Sequence, residues 1–357
     1  MPHAPPGPLV AAVQTNCHIA DAAHATDLSL CTYLLQMREF YRWERGLPLG
    51  APLARDAVGA WLAQREGRWA ELEGQSFSQV PAGVARDFDA FDVTALNQQL
   101  LPLGLVYGAG LAGADRPGFF LAQLHELRTR DDGITVQVCG HEFARGLFAP
   151  PAALQVDTIV LRRESLARWV WEKFEVFGLR RGDGPFKAIT EAYGLERDFH
   201  AGLPRLLDEQ GETLILHELG EHRAGRWLEP GWAAMRLALH KRRTELHVRA
   251  VRDHVADLTV TLPTLLHDGS STAIHFWFAG FDGVRKLLFP SLTDAYQAWC
   301  SGDGGVALQR AARRGAAHFS ELAEQVLALH VRHGEHAGAH IESLLTGSGA
   351  ICRHGME

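Results

Sequence analysis

Apolar residues recur at helical spacing through most of this chain, and the pattern is interrupted once, between residues 101 and 161. One or two helices are predicted over residues 8–46, and another over residues 53–73. From Arg162 onward, the pattern predicts helices over residues 162–178, 203–226, 231–262, 271–288 and 305–344. A chain with this periodicity must bury one face of each helix against another element.

The interrupting segment has strand character. "LGLVYGAGLAG" and "FFLAQLHELRTRDDGITVQVCG" are rich in β-forming residues, and Asp132-Gly133 is a hairpin turn signal between two apolar runs. "DTIVL", residues 157–161, adds a further strand. We therefore predict a mainly α fold of the α+β class, a multi-helix bundle with a small inserted antiparallel β-sheet.

This fold class implies a domain organisation. We predict a helical part over residues 1–100, the β insertion over 101–161, and a helical bundle over 162–346 that packs with the N-terminal helices. Residues 347–357 are expected to form a flexible tail.

Gly108, Gly110 and Gly113 match the G-x-G-x-x-G pattern of dinucleotide-binding loops. That loop must open a helix whose N-terminus holds the pyrophosphate. Here the sequence continues with Asp115-Arg116-Pro117-Gly118 and then another strand. We interpret the segment as a glycine-rich β-turn and expect no nucleotide cofactor.

Composition excludes several classes of protein. With 46% hydrophobic and 22% charged residues among 357, the chain is typical of a globular protein. The net charge of −7 argues against a nucleic-acid partner, and no apolar stretch approaches the length of a membrane span. The five cysteines contain no C-x-x-C pair, so we expect reduced thiols and a cytoplasmic location.

Nineteen histidines are the unusual feature, and the segment "LILHELGEHRAG" holds two of them. It begins like the H-E-x-x-H motif of zinc peptidases, but His217 and His222 are five residues apart. On a helix their side chains diverge by about 140°. They cannot bind one zinc ion together unless the helix is distorted.

The inserted glutamate instead places carboxylates and an imidazole on one side of the helix. Glu218 with Glu221 and Glu218 with His222 have i, i+3 and i, i+4 spacing. Helical bundles bind two metal ions with such side chains, although usually with an E-x-x-H spacing. We predict Glu218, Glu221 and His222 as metal ligands, with Glu218 and Glu221 also catalytic.

Two further segments complete the predicted ligand set. His18 and Asp21 share a helix face, and Asp21 continues the apolar row through Leu28 and Leu35. His254 belongs to a row with alternating steps of three and four residues that also contains His240 and His247. These ligand types and spacings resemble those of ferritin-like and haem-oxygenase-like di-metal bundles, a resemblance that covers nothing else and implies no particular activity.

The sequence thus favours a metalloenzyme that acts on a small-molecule substrate, with iron, manganese or zinc as the divalent ion. Two irons would imply oxidase or oxygenase chemistry, and one zinc would imply hydrolysis with Glu218 or Glu221 as general base. A homodimer is allowed. The alternative is a non-catalytic helical scaffold or protein-interaction domain, because core histidines are also satisfied by hydrogen bonds alone.

Overall fold

The computed structural model describes residues 5–83, 87–111, 116–155, 157–180 and 182–353. It divides into two compact units, Met1–Glu175 and Val176–Glu357. Helices dominate both, and the β-strands belong to the first unit. The predicted mainly α fold with a small β part is confirmed.

The first unit begins with helices and continues with the strands. Its helices are α1 (Gly7–His24), α2 (Leu30–Glu44), α3 (Arg55–Leu72), α4 (Val93–Leu100) and α5 (Arg163–Arg180), which runs on into the second unit. Its strands are β1 (Val80–Pro81), β2 (Asp87–Phe88), β3 (Leu105–Leu111), β4 (Pro117–Thr129), β5 (Thr135–Arg145), β6 (Ala152–Gln155) and β7 (Thr158–Arg162).

The main sheet has the strand order β3-β4-β5-β7-β6. Strands β4 and β5 form the hairpin around Asp132-Gly133, and Gly133 adopts the left-handed φ of 85° that this turn requires. All neighbours pair antiparallel except β5 and β7, which are parallel. The sequence pattern of the hairpin does not predict the parallel pairing, because β5 and β7 are not consecutive along the chain.

The two faces of this sheet are both buried. On one face, α1 contributes Leu9, Val13 and Cys17 to a core shared with Tyr107 and Leu121 of the sheet. The opposite face carries a smaller cluster: Val106, Phe120, Ala122, Cys139 and Val160. The alternation of apolar side chains along β3 and β4 thus supplies both layers.

The second unit is helical throughout the residues described. Its helices are α6 (Pro185–Tyr193), α7 (Phe199–Leu228), α8 (Gly231–Leu237), α9 (Arg242–Ala256), α10 (Leu262–Asp268), α11 (Ser271–Ala279), α12 (Gly283–Leu288), α13 (Pro290–Cys300), α14 (Val306–His333) and α15 (Ala337–Thr346). Gly334 separates the last two with a φ of 53°, which divides the single helix predicted for residues 305–344.

A π-helical turn, Asp257–Thr261, joins α9 to α10. Pro263 has no N–H for the carbonyl of Thr259, and its ring crowds that carbonyl. The wider π turn accommodates this crowding, and the Thr259 hydroxyl donates to the Val255 carbonyl at 2.6 Å. The helical path therefore continues past Pro263 into α10, whereas the sequence pattern predicts a helix that ends at residue 262.

None of the helices in the described part of the chain is long and apolar enough to span a membrane.

A contact between β3 and β4 explains one glycine of the "YGAGLAG" segment. Gly108 and Gly110 lie in β3, whereas Gly113 falls outside the described residues. Gly108 is paired with Phe120, and a Cβ at Gly108 would lie 1.9 Å from the Phe120 ring. Arg162 also packs against this ring, because its Cζ lies 4.3 Å from the centroid of Phe120.

We expect Gly108→Ala to lower the free energy of unfolding by about 1–3 kcal/mol, because Phe120 is buried and must shift. Gly110→Ala is the matched control, since it lies on the same face of the same strand and its Cβ would meet nothing within 4 Å. Urea denaturation of both variants measures the difference. Equal stability would contradict the packing described for Phe120.

Candidate metal centre

Helix α7 positions the segment that contains the histidines and glutamates. Asp198 caps its N-terminus by accepting from the Ala201 N–H at 3.0 Å, and the 30-residue helix ends at Leu228, just before Glu229-Pro230. His217 and Glu221 have i, i+4 spacing, so their side chains lie on one face of α7. Both are half-buried.

Gly220 lets this face approach α9 closely. A Cβ at Gly220 would lie 2.5 Å from the Ala256 carbonyl oxygen and 2.9 Å from the Ala256 Cα. Any larger residue would therefore push the two backbones apart. The close approach brings His217 and Glu221 of α7 to the side chains at the end of α9.

His217, Glu221 and Asp253 form a compact cluster at this crossing. Each offers one potential ligand atom, and these atoms all lie within 4.8 Å of one another. Within the described ranges, this is the one group of three or more His, Cys, Asp or Glu side chains that meets this distance. Three ligands of this kind, held on two packed helices, can bind a divalent cation.

Asp257 holds His217 in place from the buried side. Its Oδ1 accepts from His217 Nδ1 at 2.8 Å and from Trp277 Nε1 at 3.1 Å, and its Oδ2 accepts from Arg285 Nη1 at 3.0 Å. Asp257 is fully buried. Metal-bound histidines usually donate their other ring nitrogen to such a carboxylate, which leaves Nε2 to bind the ion.

The acidic surroundings favour positive charge at this position. Burial acts to lower the pKa of His217, but the charge and hydrogen bond of Asp257 outweigh it and raise the pKa well above its usual value. Burial acts to raise the pKa of Asp257, whereas His217 and Arg285 hold it well below its usual range. Burial, reinforced by the charge of Glu221, raises the pKa of Asp253. A bound cation would relieve this concentration of negative charge.

Arg252 supplies a competing positive charge beside Glu221. Its Nε lies 3.5 Å from Glu221 Oε2, and its Nη1 donates to Glu229 Oε1 at 3.2 Å. Glu221 can thus exchange an arginine for a metal ion without being left uncompensated.

The structure places the sequence-predicted residues of this unit in different surroundings. Glu221 belongs to the cluster, and the charge of the adjacent Glu218 contributes to the raised pKa of His217. His222 is half-buried on the same helix and is not a member of the cluster. His254 is fully buried and stacks on Phe319 with ring centroids 4.0 Å apart. Burial lowers the pKa of His254 to about 3, and its Nε2 bonds to the Arg285 carbonyl at 3.0 Å.

The other two predicted ligands lie in the first unit and have protein partners. His18 Nδ1 accepts from Trp69 Nε1 at 3.3 Å, and Arg65 approaches the same ring. Burial and the charge of Arg65 lower the pKa of His18 to about 3. The two Asp21 oxygens accept from the Leu147 N–H at 2.9 and 3.0 Å, and burial raises the pKa of Asp21 to about 7.

Sequence reasoning did not select His217, Asp253 and Asp257. The signal was present, because His217 with Glu221 and Asp253 with Asp257 are both i, i+4 pairs. The row of residues through His254 is more regular, and for that reason the sequence favours His254 as the ligand from this helix. Its regularity reflects core packing, since His254 lies among Phe281, Phe289 and Phe319.

Models of the two domains of one family match the chain. The N-terminal domain of a family of unknown function (DUF6866) matches residues 8–162, and its C-terminal domain matches residues 167–348. The chain belongs to this family. The His217, Glu221 and Asp253 cluster falls within the C-terminal DUF6866 domain. No curated protein and no solved structure matches the chain.

We expect Gly220→Ala to destabilise the protein by about 1–3 kcal/mol, although alanine favours helix over glycine by about 1 kcal/mol. The added Cβ would collide with backbone atoms of Ala256, which have no alternative rotamer. Gly225→Ala, in the same helix, is the control, because its Cβ would meet Arg252 Nη2 at an ordinary 3.5 Å. Thermal denaturation should give a lower unfolding midpoint for Gly220→Ala than for Gly225→Ala. A midpoint of Gly220→Ala above that of the wild type would contradict the close helix crossing.

The buried Asp21 predicts a pH dependence of stability in the first unit. Its folded pKa of about 7 exceeds the ordinary 3.8, so the folded chain binds more protons than the unfolded chain between these values. Stability should fall as pH rises from about 4 to about 7, by up to about 4 kcal/mol from this group.

Asp21→Asn keeps an oxygen acceptor for Leu147 and removes the titration. The stability gap between Asp21→Asn and the wild type should therefore widen with rising pH in urea denaturation. Asp56→Asn, at an exposed position in the first turn of α3, is the control, and its free energy of unfolding should change with pH as that of the wild type does. A constant gap for Asp21→Asn would contradict the raised pKa.

Proposed function

We propose that the C-terminal DUF6866 domain binds one divalent cation through His217, Glu221 and Asp253, and that this cation serves hydrolysis of a small molecule. The observation that carries the proposal is the convergence of these three side chains, with ligand atoms within 4.8 Å of one another. Two ligands of one tetrahedral zinc ion are about 3.4 Å apart, so the side chains need to move together by less than about 1.5 Å.

The donor set suits zinc, manganese or ferrous iron. One imidazole and two carboxylates combine the nitrogen ligand preferred by zinc and iron with the oxygen ligands preferred by manganese. Three protein ligands leave coordination positions for water and substrate, which is typical of catalytic rather than structural metal sites. A bound ion of this kind would lower the pKa of a coordinated water and polarise a carbonyl or phosphoryl oxygen.

The chain's own groups have separable roles in this proposal. Asp257 accepts a hydrogen bond from His217 Nδ1 and fixes the ring, and an ion bound at Nε2 would replace the proton that the raised pKa otherwise keeps there. Arg285 and Trp277 hold Asp257 in turn. Glu218 adjoins His217 and is our candidate for the general base, because Glu221 is assigned to the ion.

The cluster favours one ion over two. A di-iron centre needs further carboxylates that bridge the ions. Asp257 is a further carboxylate beside the cluster, and both of its oxygens are engaged by His217, Trp277 and Arg285. We therefore favour hydrolysis at a single ion over oxidation at a di-iron site.

The alternative function, a non-catalytic helical scaffold, is supported by the ion pairs of the same residues. His217 pairs with Asp257, and Arg252 bridges Glu221 and Glu229. In this view the cluster stabilises the crossing of α7 and α9 and binds no ion.

Metal analysis of the purified chain tests the proposal. We expect about one equivalent of zinc, manganese or iron after reconstitution, since one three-ligand cluster is proposed. Glu221→Gln and Asp253→Asn should each lose at least about 90% of the bound metal at a fixed ion concentration, because each removes a charged ligand. Isothermal titration with Zn²⁺ and Mn²⁺ gives the corresponding change in affinity.

Glu218→Gln and His222→Ala are the controls. They lie on the same helix, and metal should remain bound in both variants. If Glu218 and His222 were ligands, as the sequence alone predicts, both variants would lose the metal. Circular dichroism verifies that all variants are folded. If the wild type binds no ion, or if folded Glu221→Gln and Asp253→Asn bind it like the wild type, the proposed site is wrong.

A further inference from the structure

Arg145 is a buried cation with two donor nitrogens that make no hydrogen bond among the described residues. Its side chain is 2% exposed, and its Nε and Nη2 atoms have no hydrogen-bond partner among the described residues. Arg145 ends strand β5 in the first unit, and its Cζ lies 5.2 Å from the centroid of the Trp43 ring. Buried guanidinium donors without hydrogen bonds are costly, so a group that occupies Nε and Nη2 would stabilise the fold.

The nearest carboxylate is already engaged by a different arginine. Glu142 is buried and accepts from Arg162 Nε at 3.0 Å and Nη2 at 2.8 Å, while Ser165 donates to it at 2.8 Å. Arg145 Nη1 stands 3.6 Å from Glu142 Oε2, which is beyond hydrogen-bond distance. The pair of Glu142 and Arg162 is therefore complete without Arg145.

Arg168 adds a second buried positive charge beside the first. It donates to the carbonyls of Leu147 and Ala149 at 3.3 and 3.1 Å, and to Gln36 Oε1 at 3.1 Å. Its Nε has no hydrogen-bond partner among the described residues, since Glu172 Oε1 is 3.7 Å away. Burial and then the charge of Arg168 lower the pKa of Arg145 to about 9.

Trp43 contributes a further donor at the same place. Its ring stacks on Phe40 with centroids 5.4 Å apart, and Arg145 packs against it. The indole Nε1 is buried and has no partner within the described residues. The side chain as a whole is half-buried, so this part of the first unit is not sealed from solvent.

We propose that Arg145, Arg168 and Trp43 bind a small oxyanion, a carboxylate or phosphate group, in the N-terminal DUF6866 domain. A planar guanidinium matches two oxygens of such a group at once, and the indole N–H adds a third donor. A buried water could satisfy the donors, but it would add no negative charge beside the two guanidinium groups. This site is independent of the proposed metal centre, which lies in the other domain.

Thermal unfolding of the full chain with added anions tests this inference. The protein is first exchanged into a buffer whose only anion is a bulky sulfonate, and ionic strength is then held constant. Inorganic phosphate and acetate should raise the unfolding midpoint with increasing concentration, because a ligand that binds only the folded state stabilises it. Chloride should have less effect at equal concentration, since it cannot span two donors of the guanidinium.

The variants assign the effect to these residues. Arg145→Gln should abolish the response to phosphate. Trp43→Phe keeps the ring against Phe40 and Arg145 but removes the N–H, and it should raise the half-saturating phosphate concentration about tenfold. Arg68→Gln, an exposed arginine of α3 paired with Glu71, is the matched control and should respond like the wild type.

Three results would overturn the inference: no response of the wild type to either oxyanion, an equal response to chloride, or an unchanged response in folded Arg145→Gln and Trp43→Phe. Should Arg145→Gln not fold, Trp43→Phe decides the question, because that substitution removes one donor and leaves the buried charges in place.

Discussion

The buried carboxylate of Asp257 is the interaction on which the second unit depends most directly. It accepts hydrogen bonds from three side chains on three helices: His217 of α7, Trp277 of α11 and Arg285 of α12. An unpaired carboxylate at this depth would cost several kcal/mol, and removal of one partner of a buried ion pair typically costs about 3–5 kcal/mol. Asp257 therefore fixes the positions of these helices as well as the orientation of His217.

Two features of the backbone allow that carboxylate to lie where it does. Gly220 permits α7 to approach Ala256, and the π-helical turn that begins at Asp257 follows from the crowding at Pro263. Glu221 and Asp253 then lie on the more exposed side of the same crossing, with His217 between them and Asp257. One arrangement thus provides both a structural ion pair on the buried side and a group of potential ligands facing outward.

The candidate sites of the two domains gather charges of opposite sign. In the first unit, the arginines at positions 145, 162 and 168 lie around the buried carboxylate of Glu142, and donors on Arg145 and Arg168 are unused among the described residues. In the second, the carboxylates of Glu221, Asp253 and Asp257 gather around one imidazole. Under both proposals, the N-terminal domain would bind an anionic group and the C-terminal domain a cation. Like charges that lie close together favour a ligand of the opposite sign.

The sequence by itself determined the local elements. Helical periodicity predicted α1, α2, α3 and most helices after Arg162, and Asp132-Gly133 predicted the hairpin, because these signals lie within a few residues. The i, i+4 spacing of His217 and Glu221 also places both side chains on one helix face. Only the tertiary structure decided that Asp253 rather than His254 joins them, since that choice depends on which face of α9 meets α7. The parallel pairing of β5 with β7 and the position of Arg145 beside Trp43 likewise join residues far apart in sequence, and such contacts are fixed by packing rather than by local pattern.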